Sequence, residues 1–451
     1  MNSKSKAAVD LTVGSPLRVI ILFTLPLIAG NLFQQLYNVV DTVIVGHILG
    51  EDALASVGAT SALYGFFTSM MFGFSNGCSI LIARYFGAKD EERMKKSIAH
   101  TIMLSLMVTV VLTLIALFFV KDILRFLNTP DSIIERSYSY ISIVLIFSIV
   151  TMFYNMLSGI LRGIGNSLMP VVFLVISAVC NLVLDYVFIK YVGMNVAGAA
   201  VATVISQLVS VICCIVYILK KCPILHVEKV HFKWDGSMAA DLFANGVSMA
   251  MMFSIVSIGS ITLQSGINGL GETTIAAHTA ARKIVEMFMM FISPFTMAGA
   301  TFCSQNLGAN KKDRIWIGLR SAFLVIFSIV IVENILVFFG ARFMVQLITG
   351  SDIKQLLDTA EMYLRINLPF YFPLAILLVL RSALQGMNRK LIPLLASGTE
   401  LIGKVLVTWM LVPAVGYLGV CFAEPIIWIV GAILVGTDFI VTVKRFMKET
   451  S

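Results

Sequence analysis

Two aspartates lie in the middle of long apolar stretches of this sequence, where a carboxylate is costly. Asp41 lies in "LFQQLYNVVDTVIVGHILG", and Asp185 lies in "CNLVLDYVFIK". An ionisable group in hydrocarbon is expensive, so one that is retained is a candidate functional group. Two carboxyl groups that met would share protons and titrate as a unit. The chemistry that these residues favour is therefore the binding and release of a proton or another small cation.

Polar side chains accompany both acids at helical spacing. Asn181 precedes Asp185 by one turn, and "GAAVATVISQ" adds Thr203 and Gln207 one turn apart. The residues at i−3, i−4 and i−7 from Asp41 are Asn38, Tyr37 and Gln34. A purely structural alternative remains open, in which each acid is hydrogen-bonded and holds helices together.

The second half of the chain carries its own charges, and these look self-paired. Arg282 and Glu286 are spaced i, i+4, as are Glu400 and Lys404, which predicts ion pairs within single helices. His278 lies one turn before Arg282. We interpret His278, Arg282 and Glu286 as mainly structural, with a second coupling site or a substrate contact as the alternative. Three further acids have no partner by sequence, and their role is left open: Glu333, Glu424 and Asp438.

Composition places the chain in a membrane. Its 451 residues are 58% hydrophobic and 13% charged, and the mean hydropathy is +0.93. A soluble protein of this composition could not cover its surface. The seven cysteines form no CxxC pair, so we expect neither a disulfide framework nor a metal site. The pattern GxxxxGK[ST] does not occur, which argues against ATP as the energy source.

A window of about 20 apolar residues predicts an all-α polytopic protein with twelve spans. They are roughly 18–44, 53–80, 94–120, 138–160, 168–190, 196–220, 241–267, 275–303, 316–340, 361–384, 391–414 and 418–443. With the N-terminus inside, 23 of the 33 Lys and Arg residues fall on the cytoplasmic side and 7 on the outer side. The bias predicts that both termini are cytoplasmic, in a bacterial-type plasma membrane. We interpret "MNSKSKAAVDLTVGSPLR" as a retained cytoplasmic tail.

The two halves of the sequence repeat each other. "RYFGAKDEER" (84–93) matches "QNLGANKKDR" (305–314), "LRGIGNSLMP" (161–170) matches "LQGMNRKLIP" (384–393), and "LGEDALASVGAT" (49–60) matches "LGETTIAAHTAA" (270–281). Each repeat holds an even number of spans, so the repeats are parallel. This predicts six-helix lobes at 1–220 and 241–451, a cytoplasmic linker at 221–240 and a central cavity. The GxxxG spacing in "GFSNG" (73–77) predicts close helix packing.

Together these features resemble the multidrug and toxic compound extrusion (MATE) family over essentially the whole chain. The set Asp41, Asn181, Asp185 and Thr203 is similar to the first-lobe cation site of its DinF-like prokaryotic branch. The resemblance implies that these four residues bind the coupling proton or sodium ion. It also implies a hinge at Pro26 in span 1 and a substrate chamber lined by Gln34, Tyr37 and Asn38, to which we add Gln207.

Two departures from the family pattern affect this expectation. Another branch carries acids inside spans 7 and 10, and this sequence has none there. The DinF-like branch often has proline after the span 5 aspartate, whereas Tyr186 follows Asp185 here. A regular helix is therefore expected around Asp185.

The resemblance implies a transporter and not an enzyme. We expect an antiporter that exchanges H⁺, or less favourably Na⁺, for amphipathic and often cationic organic compounds. It would need no cofactor beyond the coupling ion, no metal beyond a possible Na⁺ at Asp41 and Asp185, and no nucleic acid. Membrane lipid would surround it, and one chain would suffice. The alternative is a flippase for a lipid-linked saccharide or cell-wall precursor, and a passive channel is a weaker one.

Overall fold

The structure is a computed structural model that describes residues 8–49, 51–126 and 129–450. Within these residues the regular structure is helical, and no β-strand occurs. The α-helices in chain order are α1 Pro16–Leu49, α2 Glu51–Gly87, α3 Glu91–Phe126, α4 Asp131–Ile146, α5 Ser148–Gly163, α6 Leu168–Lys190, α7 Val196–Lys221, α8 Gly236–Asn268, α9 Glu272–Gly308, α10 Lys312–Thr349, α11 Lys354–Asn367, α12 Tyr371–Gly386, α13 Leu391–Leu406, α14 Val412–Val415 and α15 Tyr417–Thr450. Shorter turns lie at Pro223–Leu225, Lys229–Phe232, Leu368–Phe370 and, as a π-helical turn, Val407–Leu411.

The described helices confirm the predicted all-α membrane fold. Eleven segments are long and apolar enough to cross a bilayer, and the bent pair of α4 and α5 makes the twelfth span. Helix α6 runs unbroken from Leu168 to Lys190, as expected for a span in which no proline follows Asp185. The amino-terminal residues 1–7 and Gly50, in one of the repeated motifs, lie outside the described residues.

Span 4 is bent without a proline. Helices α4 and α5 meet at Phe147 with an angle of 47°, and Phe147 has φ −95° and ψ 14°, outside the helical region. Ser148 then forms a 2.6 Å hydrogen bond with Thr113 of α3. In the second half, the turn Leu368–Phe370 joins α11 to α12, and there Pro369 removes a backbone donor.

The internal repeat is visible in the backbone of the turns. Lys89 and Asn310 occupy equivalent positions in the first pair of motifs, and both are left-handed, with φ 58° and 54°. Gly165 and Asn388 are equivalent in the second pair, with φ 84° and 64°. Three backbone hydrogen bonds around each of these turns also match, residue for residue, in both pairs. The sequence repeat is therefore a structural repeat.

The chain forms two compact units. The first contains Met1–Asp10 and Leu25–Ala250, and the second contains Leu11–Thr24 and Met251–Ser451. The division after Ala250 falls inside α8 and not in the 221–240 segment, because the first half of α8 packs on α2. The opening turns of α1 also group with the second unit. The lobe boundaries expected from the sequence stay a prediction.

Two glycines bring α2 close to α8 inside the first unit. A Cβ atom at Gly77 would lie 2.3 Å from the backbone oxygen of Asn245. A Cβ atom at Gly73 would lie 2.7 Å from the Cα atom of Ala250. The obstacle is backbone in both cases, so a side chain would have to push the helices apart. The close packing predicted from "GFSNG" is confirmed.

We expect Gly77→Ala to destabilise the protein, because overpacking a tight contact costs about 1–3 kcal/mol. The measurement is the thermal unfolding midpoint of the purified protein in detergent. Gly65→Ala is the matched control. Gly65 lies on the same helix as Gly77, and a Cβ atom there would meet nothing within 4 Å. Equal midpoints for the two variants would contradict the packing described.

Candidate functional site

The carboxyl groups of Asp41 on α1 and Asp185 on α6 lie side by side in the first unit and interact directly. Asp185 is 1% exposed, and neither of its carboxyl oxygens accepts a hydrogen bond from a donor in the described part of the chain. Ionised carboxylates only accept hydrogen bonds, so the pair lacks a donor unless one carboxyl is protonated. No described Lys or Arg acts on either group. The structure thus brings together the two acids singled out from the sequence.

A close approach of α1 to α6 positions the pair. A Cβ atom at Gly30 would lie 2.9 Å from the Val171 side chain, so α1 can come this near only with glycine there. Further along the same face, the Tyr37 hydroxyl donates a hydrogen bond to Asn181 Oδ1. Asp41 follows Tyr37 by one turn and so meets Asp185.

Pro26 lies inside α1, one turn before Gly30, and the helix continues through it. Because proline has no N–H, one backbone hydrogen bond is missing at this point. The location suits a hinge, and that role stays a prediction.

Tyrosines surround the acid pair. Tyr37, Tyr64 on α2 and Tyr140 on α4 all lie close enough to interact electrostatically with Asp41. The sequence gives no signal for Tyr64 and Tyr140, since each lies on a helix that carries neither acid. The Tyr37 hydroxyl already donates its single proton to Asn181, so these side chains are electrostatic neighbours of the pair.

The remaining first-unit candidates form local hydrogen bonds. Gln207 accepts a 2.5 Å hydrogen bond from the Thr151 hydroxyl. The Thr203 hydroxyl donates to the Ala199 backbone oxygen of its own helix at 2.9 Å. The Gln34 amide donates to Asn38 Oδ1 at 3.1 Å. The structure therefore shows these polar groups hydrogen-bonded within α1, within α7 and between α5 and α7, without showing what they bind.

The second unit repeats this neighbourhood with different residues. At the repeat offsets, Thr262 and Thr408 correspond to Asp41 and Asp185, and the Thr408 hydroxyl lies 3.5 Å from the Thr262 backbone oxygen. Lys404 corresponds in the same way to Asn181. The equivalent helices thus meet at equivalent points, but threonines replace the two acids and a cation replaces Asn181.

Five charged side chains form a continuous series in the second unit, which we call the charge chain. Arg282 of α9 lies 3.2 Å from Glu424 of α15. Lys404 of α13 lies 4.0 Å from Glu424 and 3.1 Å from Glu400. Arg381 of α12 lies 3.7 Å from Glu400. Arg381 gives no signal in the sequence, because its partner lies on another helix.

The charge chain corrects one predicted pair and confirms another. The predicted ion pair between Arg282 and Glu286 is wrong, because the Arg282 side chain points toward α15 and pairs with Glu424. Glu286 instead pairs with Lys283 at 3.0 Å, and both side chains are exposed. The pair of Glu400 and Lys404 is confirmed.

The acids left without a partner by sequence have three different environments. Glu424 belongs to the charge chain. Asp438 forms a 2.8 Å ion pair with Arg389. Glu333 is 3% exposed, and both of its carboxyl oxygens lack a hydrogen-bond partner among the described residues.

A small cavity lies at the Arg282 end of the charge chain, inside the second unit. Its volume is about 80 Å³, and its lining residues are Ser260, Leu263, Gln264, Ile267, His278, Arg282 and Glu424. The His278 Nδ1 atom lies 3.0 Å from the Tyr417 hydroxyl. The ring of His278 contacts Tyr363 edge-on, and the Tyr363 hydroxyl donates to Glu424 at 2.8 Å. His278 and Arg282 therefore meet at one cavity, while Glu286 does not line it.

Comparison with known proteins gives consistent matches. The family model MatE matches residues 26–187 and 248–410. The Probable multidrug resistance protein YoeA of Bacillus subtilis (strain 168) is 32% identical over 65% of this chain and 65% of its own length. This match therefore spans slightly less than two thirds of that relative. The Probable multidrug resistance protein YpnP of the same organism is 25% identical over 68% of this chain and 69% of its own length.

The fold also has a close counterpart among solved structures. The crystal structure of a MATE protein in the bent conformation superposes with a TM-score of 0.92 at 23% identity, covering 99% of both chains. Membership of the DinF-like branch stays a prediction. The family model covers both units of the chain and more than half of its residues, and we conclude that this protein belongs to the MatE family.

Proposed function

We propose that this protein is a secondary active exporter that exchanges protons for amphipathic, often cationic, organic compounds. The observation that carries the proposal is the direct contact of Asp41 and Asp185 with no described cation to neutralise them. Two adjacent carboxylates repel each other, and the repulsion is strong in a low-dielectric interior. The pair is therefore stable with a bound proton or with a cationic ligand nearby, and each can displace the other.

The names of the relatives support export of organic compounds. Two relatives in Bacillus subtilis are named as probable multidrug resistance proteins. In our proposal, protonation of the pair from outside would change α1 around Pro26, shrink the chamber near Gln34, Tyr37 and Asn38, and favour release of the substrate. Deprotonation to the cytoplasm would reset the protein, and the two lobes would give access alternately.

The oxygen ligands available at the acid pair favour H⁺ over Na⁺ as the coupling ion. A hard cation without its water requires several oxygen ligands, about six for the best-studied ions. The side-chain oxygen of Asn181 already accepts a hydrogen bond from Tyr37, which leaves it one lone pair for a cation. No set of three or more His, Cys, Asp or Glu residues suited to a metal ion occurs in the described residues. A proton needs only the two carboxyls.

The Lys and Arg bias supports cytoplasmic termini and a plasma-membrane location. One chain contains both repeats, so we propose that the monomer transports. The flippase alternative would require a cavity able to hold a diphosphate with at least two negative charges. The second-unit charge chain offers three cations that are already paired with two carboxylates, which makes that alternative the weaker one.

The first test is ethidium efflux from proteoliposomes under an imposed proton gradient. We expect Asp41→Asn and Asp185→Asn each to reduce efflux to the level of protein-free liposomes, because neither variant can cycle the proton on the pair. Asp122→Asn is the matched control, since Asp122 is exposed at the end of α3, and it should transport like the wild type. Efflux driven equally in the Asp41→Asn variant would refute the coupling site.

The second test is the pH dependence of substrate binding. Protonation of the pair removes the negative charge that attracts a cation, so binding of tetraphenylphosphonium to purified protein should weaken as the pH falls. For displacement of one proton, mass action predicts an apparent Kd about tenfold higher per pH unit on the acid side. The dependence should vanish in Asp185→Asn.

Sodium distinguishes the coupling ions in the same assay. We expect added sodium at fixed pH and ionic strength to leave the apparent Kd unchanged. Competition by sodium in place of protons would identify an Na⁺ antiporter, and no binding of any organic cation would direct attention to a lipid-precursor flipping assay.

A further inference from the structure

The charge chain of the second unit contains more positive than negative charge. Its members are Arg282, Glu424, Lys404, Glu400 and Arg381, so three cations share two carboxylates. Lys404 is 2% exposed and Arg381 is 8% exposed. The nearby Glu333 does not contribute a counter-charge, because no described cation interacts with it. One positive charge in this part of the membrane-spanning region therefore has no counterpart among the described residues.

The charge chain borders the cavity through Arg282, the member at one of its two ends. At the other end, Arg381 is buried and donates to the Ser397 hydroxyl at 3.3 Å. Arg282 is the exposed end, with one third of its side chain accessible, and it lines the cavity. Its Nη1 atom donates to both oxygens of Glu424, whereas a guanidinium has five N–H donors. Donors thus remain for a ligand.

Among the other polar groups at the cavity, Glu424 is an acid already paired with Arg282 and Lys404, and the rest are donors or neutral. The Lys404 ammonium donates to the Ser260 hydroxyl at 3.3 Å. The aliphatic part of Lys404 packs against α8 at Gly259, where a Cβ atom would lie 2.9 Å from the Lys404 Cδ atom. Gln264 and His278 complete the polar part of the lining. The volume of about 80 Å³ is several times the roughly 10–15 Å³ of open space that one water molecule needs. Such a space suits a carboxylate group or a halide.

We propose that this cavity is a binding site for a small monovalent anion, held by Arg282 and the surplus charge of the chain beneath it. The ligand is either a free anion such as chloride or the carboxylate group of an organic molecule. A charge of −1 would neutralise the chain, and the energetic reason for binding is the high cost of an unpaired charge in a low-dielectric environment.

The internal repeat provides an independent reason for a ligand site here. Lys404 is the counterpart of Asn181 beside the acid pair, and Tyr363 is the counterpart of Tyr140 at the same offset. The duplicated scaffold thus places polar and aromatic groups at equivalent points of both units. In the first unit the surplus charge is negative, and in the second it is positive.

Anion binding can be measured without transport, so this test does not depend on the proposed antiport. Purified protein in detergent is unfolded thermally while sodium gluconate is replaced by sodium chloride, and separately by sodium acetate, at constant ionic strength. A ligand that binds only the native state raises the midpoint in a saturable way. We expect such a rise for the wild type with at least one of the two small anions.

Arg282→Gln and Lys283→Gln are the matched pair of variants. Arg282→Gln makes the chain neutral while Glu424 keeps Lys404 and Tyr363, so the saturable rise should disappear or its half-saturating concentration should increase at least tenfold. Lys283→Gln removes one positive charge from the neighbouring exposed residue, and its response should equal that of the wild type.

Ser260→Asp tests the proposal without removing a charged group. A carboxylate placed beside Lys404 would act as an internal anion, so this variant should unfold at a higher midpoint in gluconate and respond to neither small anion. A rise with both chloride and acetate supports a small-anion site, and a rise with acetate alone identifies a carboxylate site. Equal responses of the wild type, Arg282→Gln and Ser260→Asp, or no response of the wild type, would overturn the proposal.

Discussion

The constraint on which the structure depends is the cost of a charged group away from water. Every ionisable side chain inside the spans must find a partner of opposite charge, become neutral or meet a ligand. In the second unit, Glu424 and Glu400 each contact two cations and so link four helices. In the first unit, Asp41 and Asp185 lie beside each other, and no described Lys or Arg acts on either of them. In our proposal the acid pair is therefore a place where a change in proton or cation occupancy alters the energy.

The packing that creates this pair is as important as its charges. The acids meet because Gly30 lets α1 approach α6, and Tyr37 fixes the approach by donating to Asn181. Helix α2 is held in turn against α8 through Gly73 and Gly77. Small residues at contacts and polar groups along one face are the means by which helices associate when lipid supplies no hydrophobic driving force. Close helix contact and site geometry therefore have one common cause.

The duplicated scaffold has kept its backbone and changed its charges. Lys89 and Asn310, and likewise Gly165 and Asn388, occupy equivalent positions in their turns, and all four have left-handed backbone conformations. At the equivalent helix contact, however, Thr262 and Thr408 stand where the first unit has Asp41 and Asp185. Backbone geometry is set by turn hydrogen bonds and helix packing, which tolerate such exchanges. Side-chain charge is free to diverge, and it gives the two units opposite polarity.

The sequence by itself predicted the twelve spans and the internal repeat, and it singled out Asp41 and Asp185, the two acids that the structure brings together. Each of these follows from a local property: hydropathy over a span, similarity at a fixed offset, or an acid within an apolar run. Tertiary structure alone decided that Arg282 pairs with Glu424 and not Glu286, that Arg381 joins the charge chain, and that Tyr64 and Tyr140 flank the acids. Helical spacing reveals partners three or four residues away on one helix. It contains no information on which face of a distant helix comes within 4 Å, because that depends on the packing of the whole unit.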